Sequence, residues 1–324
     1  MKVKKEYLLL ILIIVVLSTY LVVQQTNHED PELPKLAELD GNTVNRILIT
    51  KADTSIELTK KDEQWLIKPE DYPANTVTVK NMLNAAAKLT TTALVSETGN
   101  YERYDLIPDK RTTVKVFNDQ ELEREFSIGK TAPTFQHTFV MLAGDDKVYH
   151  ARGNLTNTFN QTIESLRDKK VLSFEKDHIL AIEVRKGDQP LVISKKEIIA
   201  TPQDEPKGEK PPSPQPTKTK WEDEWGQVVD GPAVDSLLNN MSGLTCDAYM
   251  ADDAKAGLKD AAWTLTFKSG QGDFSVSVFE KDTQTPPKYK AASSGSRYAF
   301  LLNENRVTNF EKNIDKLLKA APEK

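Results

Sequence analysis

The 324-residue chain predicts an α+β fold: an N-terminal transmembrane helix followed by two repeated, mainly antiparallel sheet domains, each with a central and a terminal helix. Three observations predict it. One long apolar run opens the chain, a stretch of alternating apolar residues recurs at a fixed offset, and that alternation gives way twice to apolar residues at helical spacing.

From Tyr7 to Val23 the only polar members are Ser18 and Thr19. A helix of that length rises about 25 Å and can just span a bilayer. Lys2, Lys4 and Lys5 precede the run and Glu29, Asp30 and Glu32 follow it. The excess of positive charge on the near side makes residues 1–6 a cytoplasmic tail and puts the bulk of the chain outside the cytoplasm, in the periplasm of a bacterial cell. The run is expected to be an uncleaved signal anchor in the inner membrane, with the lipid bilayer as its partner. "LVVQQTNHEDP" lacks the small-residue site of a cleaved signal peptide, and Val16 and Ser18 make only a poor one. Residues 24–43 form a linker.

The repeat follows. "RILITKADTSIELTKKD" (residues 46–62) aligns without a gap on "AIEVRKGDQPLVISKKE" (residues 181–197). Ile47, Ile49, Ile56 and Leu58 fall on Ile182, Val184, Leu191 and Ile193, so each copy reads as a β-hairpin with one buried face. "VKNMLNAAAKLTTTALVSET" (residues 79–98) aligns on "VDSLLNNMSGLTCDAYMADD" (residues 234–253), a helix and then a strand in both. The offset grows between these two alignments, so the second copy carries an insertion. It lies at 198–220, where Pro202, Pro206, Pro211, Pro212, Pro214 and Pro216 make an extended loop that cannot bury a core.

Strand candidates come next: "RTTVKVF", "EREFSIG", "HTFVMLA" and "KVYHA" in the first copy, "AWTLTF", "DFSVSVF" and "RYAFLLN" in the second. "FNQTIESL" and "FEKNIDKL" close the copies, placing Phe159, Ile163 and Leu166, then Phe310, Ile314 and Leu317, on one face of a terminal helix. The domains are therefore expected at 44–175 and 176–319.

Composition narrows the function. A net charge of −5 with charges of both signs scattered throughout gives no basic face for a phosphate backbone, so no nucleic-acid partner is expected. The single cysteine, Cys246, excludes an internal disulfide and reads as a small buried hydrophobe.

No catalytic signature, cofactor motif or metal-ligand spacing stands out. His28, His137, His150 and His178 are too dispersed for a metal-binding pair, although His137 and His150 could meet on adjacent strands. Gly129, Lys130 and Thr131 resemble the end of a phosphate-binding loop, but the required upstream glycine is Arg124. Asp145 and Asp146, Asp252 and Asp253, and residues 222–224 could supply paired carboxylates, yet adjacent acids in turns are ordinarily solvated. Arg167, Lys169 and Lys170 suit the negative end of the first terminal helix. No catalytic, cofactor-binding or metal residue is assigned, and no cofactor is expected.

"YERYDLIPDKRTTVKVF" (residues 101–117), "FSIGK" (126–130) and "LRDKKVLSF" (166–174) resemble a bacterial domain-of-unknown-function family of membrane-anchored envelope proteins, often encoded beside ABC transporter subunits of the gliding-motility type. Its members show a Y-G-L-x-x-P pattern. Here Tyr104, Asp105, Leu106 and Pro108 stand in that place with the glycine replaced and the spacing to the proline tighter, and in the second copy Gly257 and Leu258 remain without the proline. The resemblance implies a non-enzymatic, extracytoplasmic accessory or binding component of an ABC transport system, with a transporter permease or related envelope protein as partner. The alternatives are an envelope structural protein independent of any transporter and an envelope hydrolase.

Overall fold

A computed structural model describes residues 5–26, 32–187, 190–198, 218–283 and 285–319, with side chains left out at 5–9, 22–26, 197–198 and 218. The chain divides into two compact units, Met1–Arg167 and Asp168–Lys324. Both are mostly antiparallel sheet with few helices.

Helix α1 (Lys5–Thr26) opens the first unit. Its described side chains, residues 10–21, are all exposed. Among the described residues no helix is long and apolar enough to cross a membrane. The expected transmembrane helix is thus corrected to an exposed apolar helix, and Tyr7 and Val23, the ends of the expected span, lie outside the described side chains.

The sheet of the first unit is built from β1 (Arg46–Lys51), β2 (Thr54–Lys61), β3 (Gln64–Ile67), β4 (Tyr72–Pro73), β5 (Thr91–Ser96), β6 (Thr112–Asn118), β7 (Glu121–Thr131), β8 (His137–Leu142) and β9 (Val148–Arg152). The strands lie in the order β4-β3-β2-β1-β6-β7-β8-β9-β5. The first hairpin has the expected register, Ile47 opposite Leu58 and Ile49 opposite Ile56. Those side chains face α2 (Thr76–Ala87), which enters the core through Val79, Met82 and Ala86. Asn75 caps α2, its side chain accepting from the Thr78 amide at 2.9 Å.

The terminal helix of this unit is not one helix. It is split into α3 (Leu155–Phe159) and α4 (Ile163–Leu166). Asn160 leaves helical geometry, and Thr162 and Ser165 form a capping box that starts a new turn. Phe159 and Leu166 are buried, whereas Ile163 is 37% exposed, so the expected common face does not exist. With two short helices here, the α+β expectation gives way to a sheet that carries little helix.

The second unit contains β10 (Ile179–Arg185), β11 (Pro190–Ile198), β12 (Lys218–Asp223), β13 (Ala248–Tyr249), β14 (Trp263–Ser269), β15 (Gly272–Lys281), β16 (Lys288–Ser293) and β17 (Phe300–Asn303), with helices α5 (Gly231–Met241) and α6 (Glu304–Lys319). The order is β12-β11-β10-β14-β15-β16-β17-β13, the same path through the sheet as in the first unit. Here the terminal helix is continuous, and Phe310, Ile314 and Leu317 share its buried face. Strands β11 and β12 pair with each other up to Ile198 opposite Lys218, so the Pro-rich residues between them, Pro202 to Pro216, join neighbours in one sheet and themselves lie outside the described residues.

Each unit also begins with a strap. In the first, Leu33, Leu36 and Leu39 pack on the core, and the Thr91 hydroxyl donates to the Pro34 carbonyl at 3.3 Å. In the second, Val171, Leu172 and Phe174 lie in the core, and the Cys246 amide donates to the Lys169 carbonyl at 2.8 Å. Pro34 and Lys169 are related by the offset of the hairpins, and Thr91 and Cys246 by the offset of the helices. Residues 168–174 therefore stand to the second sheet as residues 33–39 stand to the first.

Candidate functional site: the covered outer face of the first sheet

The sheet of the first unit buries side chains on both faces at one end. Away from α2, Tyr104, Leu106, Ala132, Phe139 and Val148 form a second small core, with Val95, Tyr101 and Met141 packed around it. The cover is the segment from the 3-10 turn at Tyr101–Tyr104 to Pro108, the stretch that carries the Y-x-L motif. Tyr104 stacks at a tilt on Phe139 with ring centroids 4.9 Å apart, and the Tyr101 hydroxyl donates to the Asp146 carbonyl at 2.9 Å.

Two backbone positions make the cover fit. Asp105 ends the 3-10 turn in the left-handed region, φ 55°, and its amide donates back to the Glu102 and Tyr101 carbonyls. Glycine is the natural occupant of such a site, and aspartate is among the few side chains that tolerate it. This explains why aspartate can replace the motif's glycine. Beneath it, a Cβ on Gly129 would stand 2.1 Å from the Tyr104 carbonyl oxygen and 3.0 Å from Leu106 Cγ. "FSIGK" and "YERYDLIP" are thus two halves of one contact, and Gly129 serves backbone approach, not phosphate. In the second unit Gly257 sits inside its 3-10 turn, and Leu258 in ordinary extended geometry ends it, so the motif's glycine has no matching role there.

His137 and His150 do meet on adjacent strands. Phe139 pairs with His150 and His137 with Arg152, and the imidazole centroids are 5.7 Å apart. His150 also lies against Phe139 at 4.8 Å, and its Nε2 is buried with no hydrogen-bond partner among the described residues. Burial, and then repulsion from His137, lower the His150 pKa below its ordinary 6.5. No three His, Cys, Asp or Glu among the described residues group to hold a metal. His178 is exposed on a separate turn, and His28 lies outside the described residues.

On the inner face Arg124 is buried and joins the strap to the helix. Its Nη1 donates to the Ala86 carbonyl at 2.5 Å and the Ala87 carbonyl at 3.1 Å, and Nη2 donates to the Ala37 carbonyl. A cation at the carbonyl end of α2 suits the helix dipole, while desolvation lowers its pKa. In the sequence Arg124 stands out only as the residue that breaks a phosphate-loop motif. Its role is to satisfy three carbonyls.

The acidic clusters serve their own turns. Asp145 accepts from the Lys147 amide at 2.9 Å and the Tyr149 hydroxyl at 2.6 Å; burial, and then this bond to Asp145, push the Tyr149 pKa up to about 12. Asp223 is buried and accepts from the Trp225 and Gln227 amides, whereas Glu222 pairs with Lys220 at 2.6 Å. Asp252 and Asp253 are exposed before the second unit's 3-10 turn. Arg167 does not sit in solvent: it is 6% exposed with its guanidinium 3.8 Å above the Tyr72 ring. Lys169 and Lys170 belong to the second strap, and Cys246 is buried.

Lys255 in the second unit is the counterpart of the cover. It donates to the Ser293 carbonyl at 2.8 Å and the Ser296 carbonyl at 2.5 Å, and burial lowers its pKa. That ammonium holds a turn closed.

No curated protein and no solved structure matches the chain. A family model does, over residues 65–261, a stretch that contains the cover, Asp105, Gly129 and the histidine pair. The match spans more than half of the chain, and the protein belongs to the family described as Domain of unknown function (DUF4340).

Proposed function

We propose that the protein is a non-enzymatic accessory or binding component of an ABC transport system, acting outside the cytoplasm with a bilayer as the partner of α1. The observation that carries this reading is α1 itself. Leu10, Ile11, Leu12, Ile13, Ile14, Val15, Val16, Leu17, Tyr20 and Leu21 are between 47% and 63% exposed. So large a contiguous apolar surface calls for an apolar partner. The transporter enters through the resemblance carried by residues 101–117, 126–130 and 166–174. A binding role is favoured over hydrolysis because Asp145 accepts from the Lys147 amide and the Tyr149 hydroxyl, and Asp223 Oδ1 accepts from the Trp225 and Gln227 amides, each within its own turn.

The test is crosslinking in intact cells followed by purification of the tagged full chain in mild detergent. A transporter permease or ATPase subunit is expected in the eluate. Recovery of cell-wall or outer-envelope components alone overturns the reading in favour of an envelope structural protein. Protease added to spheroplasts is expected to digest both sheet units.

A further inference from the structure

The β7–β8 hairpin carries at its tip the most exposed of the described large apolar side chains, Phe135, 77% exposed. Its backbone lies in the left-handed region, φ 59°. A bulky side chain rarely adopts that conformation, and glycine or asparagine would hold the turn with less strain. The ring therefore contributes neither to the core nor to the turn, and its presence asks for a partner outside the unit.

The surroundings narrow that partner. Residues 126–144 hold no Asp or Glu, and neither do residues 148–163, in a chain with 48 of them. The cations in these stretches, Lys130 and Arg152, are exposed, and neither forms an ion pair among the described residues. Register brings both to the hairpin tip. Thr131 pairs with Thr138 beside Lys130, His137 pairs with Arg152, and the Gly153 amide donates to the Gln136 carbonyl at 2.8 Å. Pro133, Thr134 and Gln136 complete an exposed tip that is neutral apart from its two flanking cations.

We propose that this tip is a membrane-contacting loop: Phe135 enters the boundary between headgroups and acyl chains of an anionic bilayer, with Lys130 and Arg152 against the headgroup phosphates. A single ring on a convex tip suits a fluid apolar layer, whereas protein hot spots sit in packed pockets ringed by further contacts. Cations held in no ion pair among the described residues suit an anionic lipid surface. The contact does not depend on α1 or on a transporter, so either can fail without the other.

The experiment labels position 135 in the full chain. A nitroxide on Phe135→Cys is compared with one on Val77→Cys, a second exposed apolar site (68%) on the first turn of α2, both in a Cys246→Ser background. In vesicles of phosphatidylglycerol and phosphatidylcholine, the label at 135 is expected to be shielded several-fold from an aqueous nickel relaxant and open to oxygen, while the label at 77 stays aqueous. Lys130→Glu with Arg152→Glu, or vesicles of phosphatidylcholine alone, are expected to remove the shielding. Equal nickel access at 135 and 77 in the anionic vesicles overturns the proposal. Should the Cys246 substitution impair folding, Phe135→p-benzoylphenylalanine in the otherwise unaltered chain answers the same question in cells: photo-crosslinks to lipid are expected, and crosslinks to protein alone overturn it.

Discussion

His150 sits where a proton is unwelcome, between the Phe139 ring, the second imidazole of His137 and the backbone of β5. Its folded pKa is lowered, while an unfolded chain takes up the proton near the ordinary 6.5. The unfolded state therefore binds more protons, and stability is lost as pH falls below about 6.5 until the folded His150 is protonated as well. Thermal melts from pH 8 to pH 5 are expected to show a steeper acid decline for the natural protein than for His150→Phe; equal slopes would contradict the role assigned to this imidazole. The pairing of the two histidines was legible from their positions on successive strand candidates, because alternation fixes which residues share a face. Gly129 and Asp105 were not legible as partners. Their contact runs through the backbone of Tyr104, and main-chain approach leaves no side-chain pattern to read. Arg124 was hidden for a similar reason, since its acceptors are three carbonyls from two distant segments.

Among elements, the two terminal segments show how far periodicity can be trusted. Phe159, Ile163 and Leu166 have the same spacing as Phe310, Ile314 and Leu317, yet only the second trio lies on one helix. Spacing states what a helix would do if it formed. Thr162 with Ser165, a start signal in the middle of the segment, decides that the first does not run through. Phe310 is 1% exposed and Ile163 is 37% exposed. Phe310→Ala is therefore expected to lower unfolding stability by about 3–5 kcal/mol, and Ile163→Ala by no more than about 1 kcal/mol. Urea titration of both variants measures the contrast, and similar losses would restore the continuous helix. The short strands β3, β4 and β12 were missed because two to six residues leave too few alternations to stand out. Strand β16, "KYKAAS", was missed because its buried positions are Ala291 and Ser293, which carry little apolar signal.

At the scale of the whole molecule the same path is traced twice, down to the backbone bond that brings the chain back beside its tryptophan strand: the Ala74 amide donates to the Trp65 carbonyl, and the Val229 amide to the Trp221 carbonyl. Of that path the hairpin and helix alignments made β1, β2, α2 and β5 legible, with their counterparts in the second unit. The straps were not, because Thr91 reaches its carbonyl with a side chain and Cys246 reaches the equivalent one with its main chain. In the first unit β2 and β3 are joined by the tight turn at Asp62 and Glu63, both with positive φ. The equivalent join between β11 and β12 spans residues 199–217. Replacing those residues with a two-residue Asn-Gly turn is expected to leave the melting temperature unchanged or raised, since shortening a loop lowers its closure entropy. A melt lowered by ten degrees or so, far beyond the few degrees that about 1 kcal/mol moves a domain of this size, would show that the segment belongs to the folded core. The strap of the first unit has one more consequence. If the front of the chain is tethered and its body is tugged, tension arrives first at Leu33, Leu36 and Leu39, where the bonds from Arg124 and Thr91 stand as a mechanical latch ahead of the sheet. Force must slide that latch loose before it can peel a single strand.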